Sequence, residues 1–196
     1  LGMPLGAVRE LIPRLEAEGL LHTVPQRGLQ IAHVDLKLIN NAFQLRLLLE
    51  REAAIRFTTS VPDAELAAIE QAHLDIVRRA RQGPIDNQLL SDATMVDWGL
   101  HDLMIDASKN ELISDVYRIN SLRVRLIKLE GTTLSADVLL SAMEEHLWFL
   151  DAVKQRDPQA AAQRLNHHIE SAHHRVLGLP RPVMPWSLEN LVEIPS

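Results

Sequence analysis

Four residues of this 196-residue chain have the types and spacing to hold a metal ion: Asp97, His101, His146 and His168. Asp97 and His101 stand four apart, so on a helix they share one face, a turn apart, and can chelate one ion. His146 and His168 each lie eleven residues from Asp157, and Asp157-Pro158 reads as the turn between two antiparallel helices. At a rise of about 1.5 Å per residue, both sit roughly 16 Å from that turn, at matching depth. Three imidazoles and one carboxylate suit Zn2+ first, and Ni2+, Mn2+ or Fe2+ as alternatives. Four protein ligands can close a tetrahedron, whereas an octahedral ion keeps two positions for water or a small ligand.

Helix faces refine the set. His146 shares a stripe with Leu139, Met143, Phe149, Leu150 and Val153, and His168 shares one with Leu165 and Ala172. His167 falls with Arg164, Ser171 and His174 on the polar side, which favours His168 as the ligand. An inward Asp97 is costly without a cation. Spacing alone leaves the ordinary alternative open, because a lone interior histidine is usually a satisfied core residue and nine histidines form pairs by chance. His22, His33, His73, His167, His173 and His174 read as outward-facing. A divalent ion with one carboxylate is net positive and favours an anionic guest, most naturally a small carboxylic acid. Arg46, Arg123 and Arg125 on long helices could clamp it, against the ordinary reading of solvated arginines. A metalloenzyme would need a general base beside the ion, and Glu144, Glu145 and Asp102 flank ligands without a spacing that turns them inward. A purely structural ion is the third reading.

The elements that must carry these residues are helices, because apolar residues recur at helical spacing almost throughout. Helices are expected over 7–20, 35–58, 60–81, 91–107, 110–130, 134–155 and 158–178, with Pro13 interrupting the first. Between the first two, Leu21 to Ile31 reads as a hairpin with a Pro25-Gln26-Arg27-Gly28 tip. The fold class expected is all-α: an antiparallel bundle of six to seven helices over 34–178, preceded by a small helix-and-hairpin unit over 1–33. A Pro-rich extended tail follows over 179–196.

Composition narrows the classes. The chain has no cysteine, so disulfides and thiolate metal sites are excluded. No run of about 18 or more apolar residues exists, so no spanning helix is expected, and with no signal peptide a cytoplasmic location is the default. A net charge of −6 argues against broad phosphate-driven nucleic-acid affinity, although a small DNA-reading module on an acidic body remains compatible.

The segment Gly6-Ala7-Val8-Arg9-Glu10-Leu11 through Arg14-Leu15-Glu16-Ala17-Glu18-Gly19-Leu20, with the tip Pro25-Gln26-Arg27-Gly28, resembles the recognition helix and wing of GntR-type winged helix-turn-helix regulators. Gly6-Ala7 replaces that family's Thr/Ser-Pro, Pro13 departs from its helix, and the motif's first two helices have no counterpart upstream. The resemblance makes Arg9, Arg14, Arg27 and Gly28 the expected DNA contacts, with Arg14 alternatively pairing with Glu10 or Glu18. Truncated in this way, the unit is expected to bind operator DNA poorly.

The body resembles the FCD ligand-binding domain of the FadR-like branch. The matching stretches are Arg46-x3-Glu50, Asp97-x3-His101, Ala107-Ser108-Lys109-Asn110, Glu145-His146, Arg156-Asp157-Pro158 and His168. Gly99-Leu100 departs from the family's aromatic residue before the second ligand. The resemblance implies that Asp97, His101, His146 and His168 are the metal ligands; Arg46, Asn110, Arg123 and Arg125 are the expected effector contacts. It also implies a homodimeric transcription factor, often a repressor, that binds operator DNA and senses a small carboxylate or sugar acid at the metal.

Overall fold

A computed structural model describes residues 4–131 and 136–186. Helix α1 spans Leu5–Ala17, strands β1 and β2 span Leu21–Val24 and Gly28–Ile31, and six long helices follow. These are α2 Leu36–Ser60, α3 Asp63–Gln82, α4 Asn87–Asp106, α5 Glu111–Gly131, α6 Ala136–Lys154 and α7 Pro158–Leu177. The architecture is the expected helical bundle with a small unit before it.

Local chemistry sets the boundaries. Asp35 Oδ1 accepts from Leu38 N at 2.7 Å and starts α2. Asp86 Oδ1 accepts from Leu89 N at 2.8 Å, which starts α4 four residues before the expected Ser91. Asp157 caps α7 through Gln159 N and Ala160 N, with Pro158 in the first turn where no N–H is needed. Gly178 closes α7 in the left-handed conformation, at φ 66°. Pro13 does not interrupt α1, which runs on to Ala17; the ring removes one intrahelical bond without ending the helix. β1 and β2 pair antiparallel from Leu21↔Ile31 to Val24↔Gly28, and Gly28 takes φ 88°, which side chains rarely adopt. The expected tail runs without helix or strand as far as Trp186, and its remainder lies outside the described residues.

Helix α2 packs along α7, α7 along α6, and α6 along α3, while α4 and α5 close the other side. Phe43, Phe57, Met104, Ile127, Phe149, Leu150 and Leu165 fill the interior. Burying such side chains contributes about 1.5–3 kcal/mol each. The apolar stripes that build this core also turn Asp97, His101, His146 and His168 inward.

Candidate metal centre

Asp97 and His101 on α4, His146 on α6 and His168 on α7 converge within 4.8 Å of one another through their ligating atoms. All are buried: Asp97 is 8% exposed and the three imidazoles 0%. His146 Nε2 lies 3.2 Å from His168 Nε2 and 3.6 Å from Asp97 Oδ1. Ligands at about 2.0–2.1 Å around a tetrahedral Zn2+ stand roughly 3.3 Å apart, so the closest pairs already have the spacing of a coordination shell.

The proton positions, inferred from the hydrogen-bond partners, sharpen this fit. His73 Nδ1 lies 2.8 Å from the carbonyl of Ile69, which can only accept, so Nδ1 carries the proton. Burial pushes the His73 pKa below its ordinary value, so the ring is neutral and its Nε2 accepts from His146 Nδ1–H at 3.1 Å. His168 Nδ1–H donates to Glu145 Oε2 at 2.9 Å. Both inner nitrogens, His146 Nε2 and His168 Nε2, are thereby left as lone pairs facing each other at 3.2 Å. Protonating one would relieve the repulsion. Burial resists that, however, holding His146 well below the ordinary imidazole range and His168 down at about 4 despite Glu145. A cation resolves the arrangement, and the donor set suits a divalent one.

Charge around the centre is ordered in pairs. Burial works against ionisation of Asp97, and Lys128 leads the groups that more than offset it, holding the carboxyl well below its usual range. Lys128 Nζ donates to Asp97 Oδ2 at 3.3 Å, leaving Oδ1 toward His146. Arg175 holds Glu145 bidentately at 2.9 and 3.1 Å. Behind His101, Arg46 Nε donates to Glu50 Oε1 at 2.7 Å, and both side chains are buried. Glu50 Oε2 stands 2.7 Å from His101 Nδ1 but at an angle poor for a hydrogen bond. Arg46 Nη2 reaches His101 Nε2 at 2.7 Å, and Arg46 Nη1 has no partner. An ion and Arg46 cannot share the His101 Nε2 lone pair.

Beside the centre a cavity of about 670 Å³ opens between α4, α5, α6 and α7. Asp97 and His168 stand at its metal end, Lys128, Arg125 and Arg175 line it, and Trp98, Leu139, Met143 and Val176 form apolar walls.

Several expected residues sit elsewhere. Asn110 does not reach the cavity; its Oδ1 caps α5, accepting from Leu112 N and Ile113 N. Arg123 turns to the N-terminal unit, where Nη2 donates to the Glu18 carbonyl at 2.7 Å. Arg46 is buried behind the ligands rather than solvated or on the cavity wall. Arg125 is at the cavity, 4.5 Å above Trp98 and 4.0 Å from Asp102. Arg9, Arg14, Arg27 and Gly28 are exposed on α1 and the hairpin, and Arg14 pairs with neither Glu10 nor Glu18.

Around the centre itself, the sequence reading also misplaced His73 and Glu145 and missed Lys128 and Arg175. His73, expected outside, is 1% exposed; it continues the Leu66, Ile69, Ile76, Val77 stripe of α3, a signal present in the spacing. Glu145, given no inward role, is 4% exposed between α6 and α7. Lys128 and Arg175 went unnoticed, although Arg175 lies two turns beyond His168 on the same stripe. Among the other outward readings, His22 and His33 are exposed, whereas His167, His173 and His174 are half-buried.

Replacing His73 by Leu removes the acceptor that fixes the His146 tautomer and should weaken zinc binding about 10–100-fold, whereas His73→Gln, which keeps an acceptor, should recover most of it. Competition against a chromogenic chelator measures both; equal losses, or none, would refute a tautomer-fixing role.

The chain is 24% identical over 187 residues to the HTH-type transcriptional repressor RspR of Escherichia coli strain K12, covering 93% of this chain and 77% of that one. It is 23% identical over 180 residues to an uncharacterized HTH-type transcriptional regulator, YdhC, of Bacillus subtilis strain 168, covering 88% and 77%. Among solved structures, Escherichia coli McbR/YncC superposes with a TM-score of 0.73 at 17% identity over 90% of this chain and 82% of that one. The Zn2+-bound FCD domain of TM0439 superposes with a TM-score of 0.58 at 21% identity, over 75% and 96%. These likenesses carry the fold. The FCD domain family model matches residues 41–171, the stretch that holds all four converging residues, and the chain belongs to the FCD domain family.

Proposed function

We propose that this chain is the sensory part of a GntR-type transcriptional repressor, in which a divalent ion held by Asp97, His101, His146 and His168 forms the floor of an effector site. The observation that carries the metal reading is the pair of imidazole lone pairs facing each other at 3.2 Å, fixed from outside by His73 and Glu145. Zinc leads the candidates because the donor set suits it and because one structural relative is a Zn2+-bound FCD domain. When bound, the ion supplies a positive centre for an anionic guest. Arg46, with one donor unpaired and another aimed at the lone pair the ion would take, adds a cation to the same region.

Helix α5 supports coupling to DNA. It carries Lys128 and Arg125 at the cavity and Arg123 on Glu18, at the end of the exposed helix that bears Arg9 and Arg14. An anion drawing Lys128 or Arg125 would bias α5 and hence the placement of α1. We read the active species as a homodimer that binds operator DNA through the complete N-terminal domain, of which α1 and the hairpin are a part. An enzyme reading is weaker, since Glu145, the carboxylate best placed for a base, is occupied by His168 and Arg175.

An acid that binds the zinc-loaded protein should change operator affinity about 5–150-fold, the usual span of allosteric coupling. Arg123→Ala should leave acid binding within about twofold yet shrink that change toward none. Fluorescence anisotropy with labelled operator, with and without acid, checks both. Turnover of the acid would favour the enzyme, and an unaltered acid response in the variant would refute transmission through Arg123.

A further inference from the structure

Resting on that reading, we infer that the effector is a monocarboxylate with a hydrocarbon or aryl body, rather than a sugar acid or a polycarboxylate. Among the described residues, three cations line the cavity and they are unequally available to a guest. Lys128 offers three ammonium donors, of which Asp97 takes one, and it stands where Asp97 and His168 open to the cavity. Arg175 is held bidentately by both oxygens of Glu145, so its charge is already compensated before a guest arrives. Arg125 lies over Trp98 toward the outer rim, beside Asp102.

Among the described residues, the remaining wall is largely apolar. Leu139 and Met143 from α6, Val176 from α7, Leu129 from α5 and the Trp98 ring from α4 surround the space beyond the head-group position. Among the described wall residues, Thr94 is polar and gives its hydroxyl to the Leu90 carbonyl. A sugar acid would turn several hydroxyls toward these walls, and each one left unpaired there is penalised by the loss of its bonds to water. A hydrocarbon body instead gains from burial there. The size agrees: about 670 Å³ is mid-range for pockets that enclose drug-sized ligands, roughly 300–1,000 Å³, and far exceeds what a two- or three-carbon acid fills. Trp98 lines the cavity with Arg125 4.5 Å and Lys128 Nζ 4.7 Å from its ring, and the ring suits an aryl face as well as a chain.

The test is calorimetric titration of the zinc-loaded protein with acetate, octanoate, phenylacetate, gluconate and citrate. Octanoate or phenylacetate should bind at least tenfold tighter than acetate, gluconate and citrate. Val176→Asn, at a half-buried position, should weaken the preferred acid about tenfold and leave acetate within twofold. Tighter binding of gluconate or citrate than of octanoate and phenylacetate would overturn the hydrocarbon body and leave the sensor reading standing. Acid binding by none of the five would overturn both. Preferred-acid affinity unchanged in Val176→Asn, with the variant folded by circular dichroism, would place the body outside this cavity and overturn the inference.

Discussion

Glu50→Ala is expected to remove about 3–5 kcal/mol of unfolding free energy, a large share of the roughly 5–15 kcal/mol that holds a domain of this kind together. Glu50 faces the Arg46 guanidinium at 2.7 Å in the interior, and both side chains are at most 2% exposed. Removing the carboxylate leaves a buried cation with an imidazole nitrogen at 2.7 Å and the Trp98 ring at 5.9 Å beside it. Burial alone would raise the Glu50 pKa, but Arg46 and His101 outweigh it and hold it at about 2, below its ordinary 4.5. A carboxyl whose folded pKa is depressed contributes fully above its unfolded pKa and loses that contribution as pH falls through the folded value. The window is therefore pH 4.5 to 2. Urea unfolding of metal-free protein across that range should show wild-type stability falling, and Glu50→Gln, which cannot titrate, should fall less steeply while starting lower. Equal slopes would show that the Arg46–Glu50 pair does not set acid stability.

His146→Ala should abolish tight metal binding. The loss should exceed the ~10–100-fold typical of changes outside the coordination shell, and bound zinc should fall from about one per chain to a small fraction. At a free metal concentration about 1,000-fold above Kd, the intact site adds roughly 4 kcal/mol to stability, and the variant should lose that increment. His167→Ala, adjacent to His168 but facing Trp148 at 5.3 Å, should keep both the metal and the increment. Elemental analysis and thermal unfolding with and without zinc measure the two variants together. Full zinc stoichiometry in His146→Ala, or its loss in His167→Ala, would sink the ligand assignment.

Much of this protein is written in local sequence. The apolar stripes of the six long helices, the Asp35 and Asp157 caps and the Gly178 stop follow from rules that operate within one or two turns. The same stripes put Asp97 and His101 on one face, and the turn at Asp157 set His146 and His168 at one depth. That is why the four converging residues could be named before any coordinate was known. The α4 start slipped because the Asp86 cap lies ahead of the first strongly periodic residues.

The partners of those four residues depended on tertiary structure. Glu50, His73 and Glu145 come from three different helices, and whether each reaches a ligand depends on packing angles that periodicity does not encode. Arginines diverged for the same reason. Arg46, Arg123 and Arg125 are alike in sequence, yet packing buries the first against Glu50, sends the second to Glu18 and leaves the third over Trp98. Sequence by itself determined which side chains face inward and at what depth, because helix geometry is local. Tertiary structure decided which nitrogen of each imidazole is held from outside, and which cations meet the cavity, because both depend on neighbours distant in the chain.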